Sequence, residues 1–560
     1  MSSVPTIDLT TLNPAVVRHM SPKQLQQLAD TMRAFLIDSV TKTGGHLASN
    51  LGTVELSIAL THVFNLDVDT LIYDVGHQTY PHKILTGRAD LFSTLRQTNG
   101  LSGFPKYEES PYDHFETGHS STSLSAACGV ATSKYLQNDT SNTIAVIGDG
   151  ALTGGLALEG LNNIVQMPRP VIVVVNDNDM SISENVGAIS HLFASKDRSQ
   201  AFFTALGYTY ISPVDGHDLS RLIDTLQRVK DTQESVVIHV KTIKGYGHSD
   251  AQLDKVKFHA VGYYTVEPKP VGKAWSPLIA SLVEAKDDVY IITPAMIEGS
   301  GLRGIDRARV VDVGIAEGHA VTMAAAMRRR GSKVFLPIYA TFLQRAYDSL
   351  VHDVARSNTP VVFGIDRAGT IPGDGDTHQG IFDVSICMAM PHLQLMMPAN
   401  EAQASALIDY AFAASTPTAI RYPKGNSIAA GQPLTITTPT WLIEQTGTQA
   451  IVISYGPDVY AIQAMAHAEN LSITLVNALF LNPIDEAVFA SLIAAKLPII
   501  VYEQVIRSGS LGQALQARSA NVVCAMAYDA IPSHGDVKSL LDQAGLSMSH
   551  LAAEIRRHAT

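Results

Sequence analysis

Residues 143–154, TIAVIGDGALTG, and residues 171–179, VIVVVNDND, decide the reading of this chain. Each is a short, β-branched apolar run that stops abruptly at Gly, Asp or Asn. A continuous apolar run of that length, bounded by turn formers, fits a strand buried on both faces. The same pattern recurs at Val236–Val240, Val361–Phe363, Ile451–Ser454, Ile473–Val476 and Pro498–Tyr502, with helical patterns between. Buried strands alternating with helices predict an α/β protein with mostly parallel sheets, here three doubly wound α/β domains. The first domain is expected over residues 1–265, ending near Tyr264 at a Pro-containing linker, Val266–Gly272. The second is expected over residues 274–427. The turn-rich stretch GQPLTITTPT then leads into a third over residues 440–560.

Composition agrees with large cores and narrows the partners. Apolar residues make up 46% and charged residues 16% of the 560, far from a disordered composition. A formal net charge of −12 argues against a nucleic-acid surface. Cys128, Cys387 and Cys524 are too scattered for a disulfide framework or a zinc site, as expected in a reducing cytosol. The start, MSSVPTIDLT, lacks a basic-then-apolar leader, and no apolar run would span a bilayer. The expectation is a soluble, cytoplasmic protein with no nucleic-acid or membrane partner.

In parallel sheets, function gathers at the carboxyl ends of the strands. The GDG there is not a dinucleotide loop, since Thr153 stands where a third Gly is needed, and Gly272-Lys273 is followed by Ala274, so no phosphate-binding P-loop exists. Asp149 is followed 29 positions later by Asn178, at the end of the next apolar run. A carboxylate and an amide oxygen are hard ligands that suit Mg²⁺, and the glycines let backbone N–H groups approach a phosphate. Spacing alone allows two unrelated turns equally well. Glu317 follows a short apolar run and opens an Ala-rich helical stretch; it fits either a cofactor contact or a first-turn Glu favoured by the helix dipole. His46, His77, His119 and His378 sit in polar, mostly glycine-rich contexts suited to proton transfer. Arg345, Arg367 and Arg421 are candidates for a phosphate, with surface ion pairs as the plainer alternative.

Longer motifs carry a resemblance. DVGHQTYPHKILTGR, GHSSTS, IGDGALTGG, NDNDMSISENVGA, SPVDGHD, FHAVG, ITPAM, DVGIAEGHAV, ATFLQRAYD, DRAG with GDGDTHQG, and RYPKGN follow in order. Together they resemble the 1-deoxy-D-xylulose-5-phosphate synthases, thiamine-diphosphate-dependent enzymes of transketolase-like fold. The resemblance implies pyruvate and D-glyceraldehyde 3-phosphate as substrates, CO₂ release, and thiamine diphosphate with Mg²⁺ as cofactors. It implies Asp149, Asn178 and the Met180 carbonyl on the metal. It implies Gly148, Gly150, Ala151, Gly118, His119, Ser120 and His77 beside the cofactor, with Glu317 on its pyrimidine and Phe342 stacked near it. His46, His77 and His378 would line the reacting centre, and His259 would border the donor pocket. Tyr339, Arg367 and Arg421 would hold the acceptor's phosphate, with Asp374 and Arg345 nearby. A homodimer is implied, with each site between the first two domains of one chain. A transketolase-type carboligase with another donor–acceptor pair, or a non-catalytic relative, is the alternative at this point.

Three departures from the family's pattern stand out. Only Ile189–Ala201 occupies the place of a long insert, so a lid over the acceptor is expected to differ. Gly318 replaces the usual Gln, which is expected to loosen the local backbone. Pro372, before Asp374, is expected to stiffen its loop.

Overall fold

The computed structural model describes residues 7–181, 184–262, 272–429 and 431–559. The chain divides into two compact units, Met1–Val266 and Glu267–Thr560. The linker read at Val266–Gly272 falls, up to its last residue, outside the described residues.

Among the described residues the first unit holds five strands, β1 (Thr70–Tyr73), β2 (Thr143–Gly148), β3 (Ile172–Asp177), β4 (Thr209–Asp215) and β5 (Val236–Lys241). They form one sheet in the order β1-β2-β3-β5-β4, and every pair is parallel. The continuous apolar runs have a direct cause. Ile144, Val146, Ile172 and Val174 enter the core on one face, while Ala145, Ile147, Val173 and Val175 enter a separate core on the other. A strand covered on both sides has no position at which a polar residue reaches water.

The second unit holds two sheets. Strands β6 (Val289–Thr293), β7 (Val310–Asp312), β8 (Lys333–Tyr339), β9 (Val362–Asp366), β10 (Gln394–Met396) and β11 (Thr418–Arg421) build the first. Beyond it lie β12 (Leu442–Gln445), β13 (Ala450–Ser454), β14 (Ile473–Asn477), β15 (Phe480–Asn482), β16 (Ile499–Ile506) and β17 (Val522–Tyr528). The sheet orders are β15-β10-β11-β9-β8-β6-β7 and β12-β14-β13-β16-β17. Thus β15 crosses back from the C-terminal region and pairs antiparallel with β10. The other antiparallel strand, β12, lies on an edge. The sheets are mostly parallel, as the sequence predicts.

Left-handed backbone at non-glycine residues marks the functional edge of these sheets. Val75, Asp179, Ala295 and Arg367 have φ of 60°, 62°, 57° and 56°, and each follows the end of a strand (β1, β3, β6, β9) by one or two residues. Such positions persist only where surrounding contacts hold them, and a β-branched Val is the least tolerant of them. Among the described residues, no helix is long and apolar enough to cross a membrane.

Candidate active site

Because β2 and β3 are parallel neighbours, GDG and NDND emerge together. Gly148 is in register with Asn176, and the Asp149 N–H donates to the Asn176 carbonyl at 3.2 Å. Asp149 is buried, and its Oδ2 accepts a hydrogen bond from Asn185 Nδ2 at 2.7 Å. The N–H groups of Asn178 and Gly150 face the carboxyl, yet Oδ1 makes no hydrogen bond of normal geometry. Burial, and then the nearby Asp177 carboxylate, push the Asp149 pKa up. A buried, desolvated carboxylate oxygen with no donor fits a cation.

Asn178 Oδ1 accepts the Met180 N–H at 3.1 Å, which leaves its second lone pair for a ligand. A Cβ on Gly148 would meet nothing within 4 Å, whereas one on Gly150 would meet Asn185 Oδ1 at 2.8 Å. The loop is open at its first glycine and closed at its second. Among the described residues, no group of three or more His, Cys, Asp or Glu could hold a metal. A carboxylate, an amide and a backbone carbonyl still suit Mg²⁺, which keeps water and phosphate in its shell.

One carboxylate ties three loops together. Asp74, in DVGHQ, accepts the N–H groups of Ser121 at 2.6 Å and Ser123 at 3.0 Å. Ser121 Oγ then donates to the Ala151 carbonyl at 2.7 Å. Gly118 is buried on this GHSSTS loop, while His119 and Ser120 are partly exposed.

His46, His77 and His259 pack against one another, with ring centroids 5.3–5.5 Å apart. Burial first, then Lys244, His77 and His46, hold His259 well below the usual imidazole range. Part of the residue remains accessible, but its Nδ1 is buried and makes no hydrogen bond among the described residues. Lys244 is missing from the sequence reading. It is buried, donates to the Ser181 carbonyl at 2.6 Å, and burial lowers its pKa to about 8 against the pull of Asp149. A lysine in a KG turn gives no signal of burial.

In the second unit, Glu317 is the first residue of helix Glu317–Arg329 and is buried. Burial raises its pKa, while its own N–H and Arg345 act in the opposite sense. Asp312 Oδ1 accepts from the N–H groups of Ala295 at 3.0 Å and Gly314 at 2.9 Å, so it anchors both ITPAM and the turn into Glu317.

A column of rings brings four expected residues together. The Arg367 guanidinium lies 4.2 Å over the Tyr339 ring. Tyr339 stacks on Phe342 at 5.6 Å, and Phe342 meets His378 edge-on at 5.8 Å. Arg367 Nη1 donates to Asp366 Oδ2 at 2.7 Å and Ser276 Oγ at 2.9 Å. The stiffening expected of Pro372 comes from its surroundings as well. Asp374 N–H donates to the Pro372 carbonyl at 3.0 Å, and buried Gln379 clasps both backbone groups of Ile371 and donates to the Ser533 carbonyl at 3.2 Å.

Arg421, also expected on the acceptor phosphate, has a different partner in the structure. Arg421 is 2% exposed, and its fork closes on the buried Asp383, with Nε 2.8 Å from Oδ2. Gly318 lies in the first turn of helix Glu317–Arg329, where an added Cβ would find ordinary contact with Ser349 Oγ at 3.5 Å. The shortened stretch after NDND is filled from within, as Phe193 is buried against Phe203 and His239.

Residues 268–428 match the pyrimidine-binding domain of transketolase and residues 440–551 its C-terminal domain, so the chain is a transketolase-type transferase. Residues 9–202 and 195–242 match the 1-deoxy-D-xylulose-5-phosphate synthase family model, in two pieces that meet at the short stretch. The chain is 42% identical to a 1-deoxy-D-xylulose-5-phosphate synthase from Geobacillus thermodenitrificans, over 98% of each chain. It is 42% identical to the synthase from Listeria monocytogenes, over 97% of this chain and 96% of that one. The chain therefore belongs to the 1-deoxy-D-xylulose-5-phosphate synthase family. The first of these alignments spans 624 positions against 560 residues here, so the relative carries residues this chain lacks. Among solved structures, a transketolase from Campylobacter jejuni aligns with 96% of this chain and 100% of its own at 17% identity and a TM-score of 0.46.

Proposed function

We propose that this chain condenses pyruvate with D-glyceraldehyde 3-phosphate, releasing CO₂, to give 1-deoxy-D-xylulose 5-phosphate, a precursor of isoprenoids, thiamine and pyridoxal phosphate. The observation that carries this reading is 42% identity to a synthase of that name over 98% of the chain. The proposed cofactors are thiamine diphosphate and Mg²⁺. When bound, thiamine diphosphate supplies a carbanion that adds to a carbonyl and takes up the electrons left by departing CO₂.

The chain's own residues have the following proposed roles. Asp149, Asn178 and the Met180 carbonyl hold the metal, a role supported by the orphaned oxygen of Asp149. Gly148, Gly150, Ala151, Gly118, His119, Ser120 and His77 border the cofactor. Glu317 hydrogen-bonds the pyrimidine, and its raised pKa suits a carboxyl that shares a proton with a ring nitrogen. Phe342 offers that ring an aromatic face. His46, His77 and His378 carry protons to and from substrate oxygen. His259, kept neutral, borders the donor pocket. Arg367, on its Tyr339 platform, receives the acceptor phosphate with Arg345 and Asp374 nearby. We further propose a cytoplasmic homodimer.

The test is an assay with pyruvate, D-glyceraldehyde 3-phosphate, thiamine diphosphate and Mg²⁺ that follows CO₂ and product together. Product that requires both substrates is the expected result. CO₂ without product, or consumption of a ketose donor instead of pyruvate, would overturn it.

A further inference from the structure

Backbone and side-chain hydrogen bonds hold the loops that carry His46, His77 and His259. Besides their ring contact at 5.5 Å, His259 and His46 are tied through the backbone around them. Gly45 and Val261 exchange both hydrogen bonds, at 2.8 and 2.7 Å, and the Ala48 N–H donates to the Phe258 carbonyl at 2.9 Å. One side chain bonds the backbone of both His46 and His77. Asn50, fully buried, donates from Nδ2 to the carbonyls of His46 and of His77, the latter at 2.8 Å. Its Oδ1 accepts the Tyr80 N–H at 2.7 Å, and the Tyr80 hydroxyl accepts the His46 N–H at 3.3 Å.

We infer that Asn50 is a positioning residue that fixes the spacing of His46 and His77, the two rings on which His259 packs. This rests on the proposed reading of those histidines as site residues. The position demands two donors and one acceptor on a short side chain. Asp lacks the donors, Ala lacks everything, and Gln adds a methylene to a close-packed interior. Without the amide, the His46 and His77 carbonyls lose a donor and the histidine loops part. His259 faces Lys244, His77 and His46, and Phe104 packs on His46 at 5.7 Å. Parting the loops admits water to this group and relieves the desolvation that keeps His259 neutral.

The test is an NMR pH titration of the histidine rings in the full chain, in wild type, Asn50→Ala and Thr53→Val. Thr53 is the control: it is buried three residues on, and its Oγ1 reaches the carbonyls of Gln78 at 3.1 Å and of Ser49 and Asn50 at 3.3 Å, but the carbonyl of neither histidine and not the Asn50 amide. In Asn50→Ala, His259 is expected to titrate near the ordinary imidazole value of about 6.5, and kcat to fall about tenfold or more. Thr53→Val should lower the melting temperature and move no histidine midpoint. The inference is overturned if Asn50→Ala leaves all three midpoints at their wild-type values, or if Thr53→Val moves them equally. Should the Ala variant not fold, Asn50→Asp keeps the size and the acceptor for Tyr80 while removing both donors, and the same midpoints decide. The titration reads the histidines directly, so a wild type that makes no deoxyxylulose phosphate would sink the proposed reaction without deciding this inference.

Discussion

Arg367 and Arg421 stand at the ends of neighbouring parallel strands, one just past β9 and the other last in β11, and they meet opposite surroundings. Arg367 leans on an aromatic ring, holds Asp366 with one nitrogen, and leaves 22% of its side chain exposed. Arg421 is sealed against Asp383, the first residue of helix Asp383–Met388. Place at a strand end therefore does not fix an arginine's surroundings. Both pair with a buried carboxylate, but one keeps part of its side chain in reach of solvent and the other does not.

The largest expected effect tests the sealed side. Arg421→Met leaves Asp383 buried and unpaired, which should cost about 3–5 kcal/mol in urea unfolding. Adding Asp383→Asn should recover much of that loss. A small loss in the single variant would mean that water reaches the pair and the contrast is false.

The open side should respond in catalysis. Arg367→Lys keeps the charge beside Asp366 but loses the planar fork. It is expected to raise the acceptor KM about tenfold, or about 1.4 kcal/mol, with CO₂ release from pyruvate unchanged. An unchanged KM would move the phosphate elsewhere.

The first unit offers a similar contrast in its titrating groups. Asp177, although burial would raise it, is held low by His239 and Lys241. His259 lacks such a carboxylate and is depressed by burial. Because its folded pKa lies below its unfolded one, the unfolded chain binds the extra proton first as pH falls through about 6.5. Stability should then drop by up to about 1.4 kcal/mol per pH unit. Urea midpoints between pH 7 and pH 5 check this, with His259→Asn flattening the slope by one group. The smallest effect is expected at Gly318→Ala, a gain of up to about 1 kcal/mol in thermal unfolding, since the helix has room for the methyl. A loss there would show that the glycine is needed.

Much of this was legible in the sequence, for a physical reason. Strands buried on both faces must be apolar throughout, so β2, β3, β5, β13, β14 and β16 announce themselves. Strands of three residues, such as β7, β10 and β15, carry too few side chains to form a pattern, and the return of β15 to another sheet leaves no local trace. The site divides in the same way. Asp149, Asn178 and Glu317 stand at strand-to-helix turns that sequence marks. Asn50, Asp383, Gln379 and Asn185 act through partners set by tertiary folding: Asp383 lies 38 residues before Arg421, and Asn50 reaches a carbonyl 27 residues away. Asn50 did leave one signal, a lone amide in the mixed stretch LASNLGTVEL, where apolar residues recur at helical spacing. A buried polar residue in such a stretch needs a partner and deserves to be asked for one.

The central claim is that the ends of β2 and β3 hold a metal-bound diphosphate. Calorimetric titration of thiamine diphosphate with Mg²⁺ into wild type and Asp149→Ala tests it most directly. The account predicts Mg²⁺-dependent binding to wild type and its loss in the variant. Equal affinity in the two would contradict it and place the metal elsewhere.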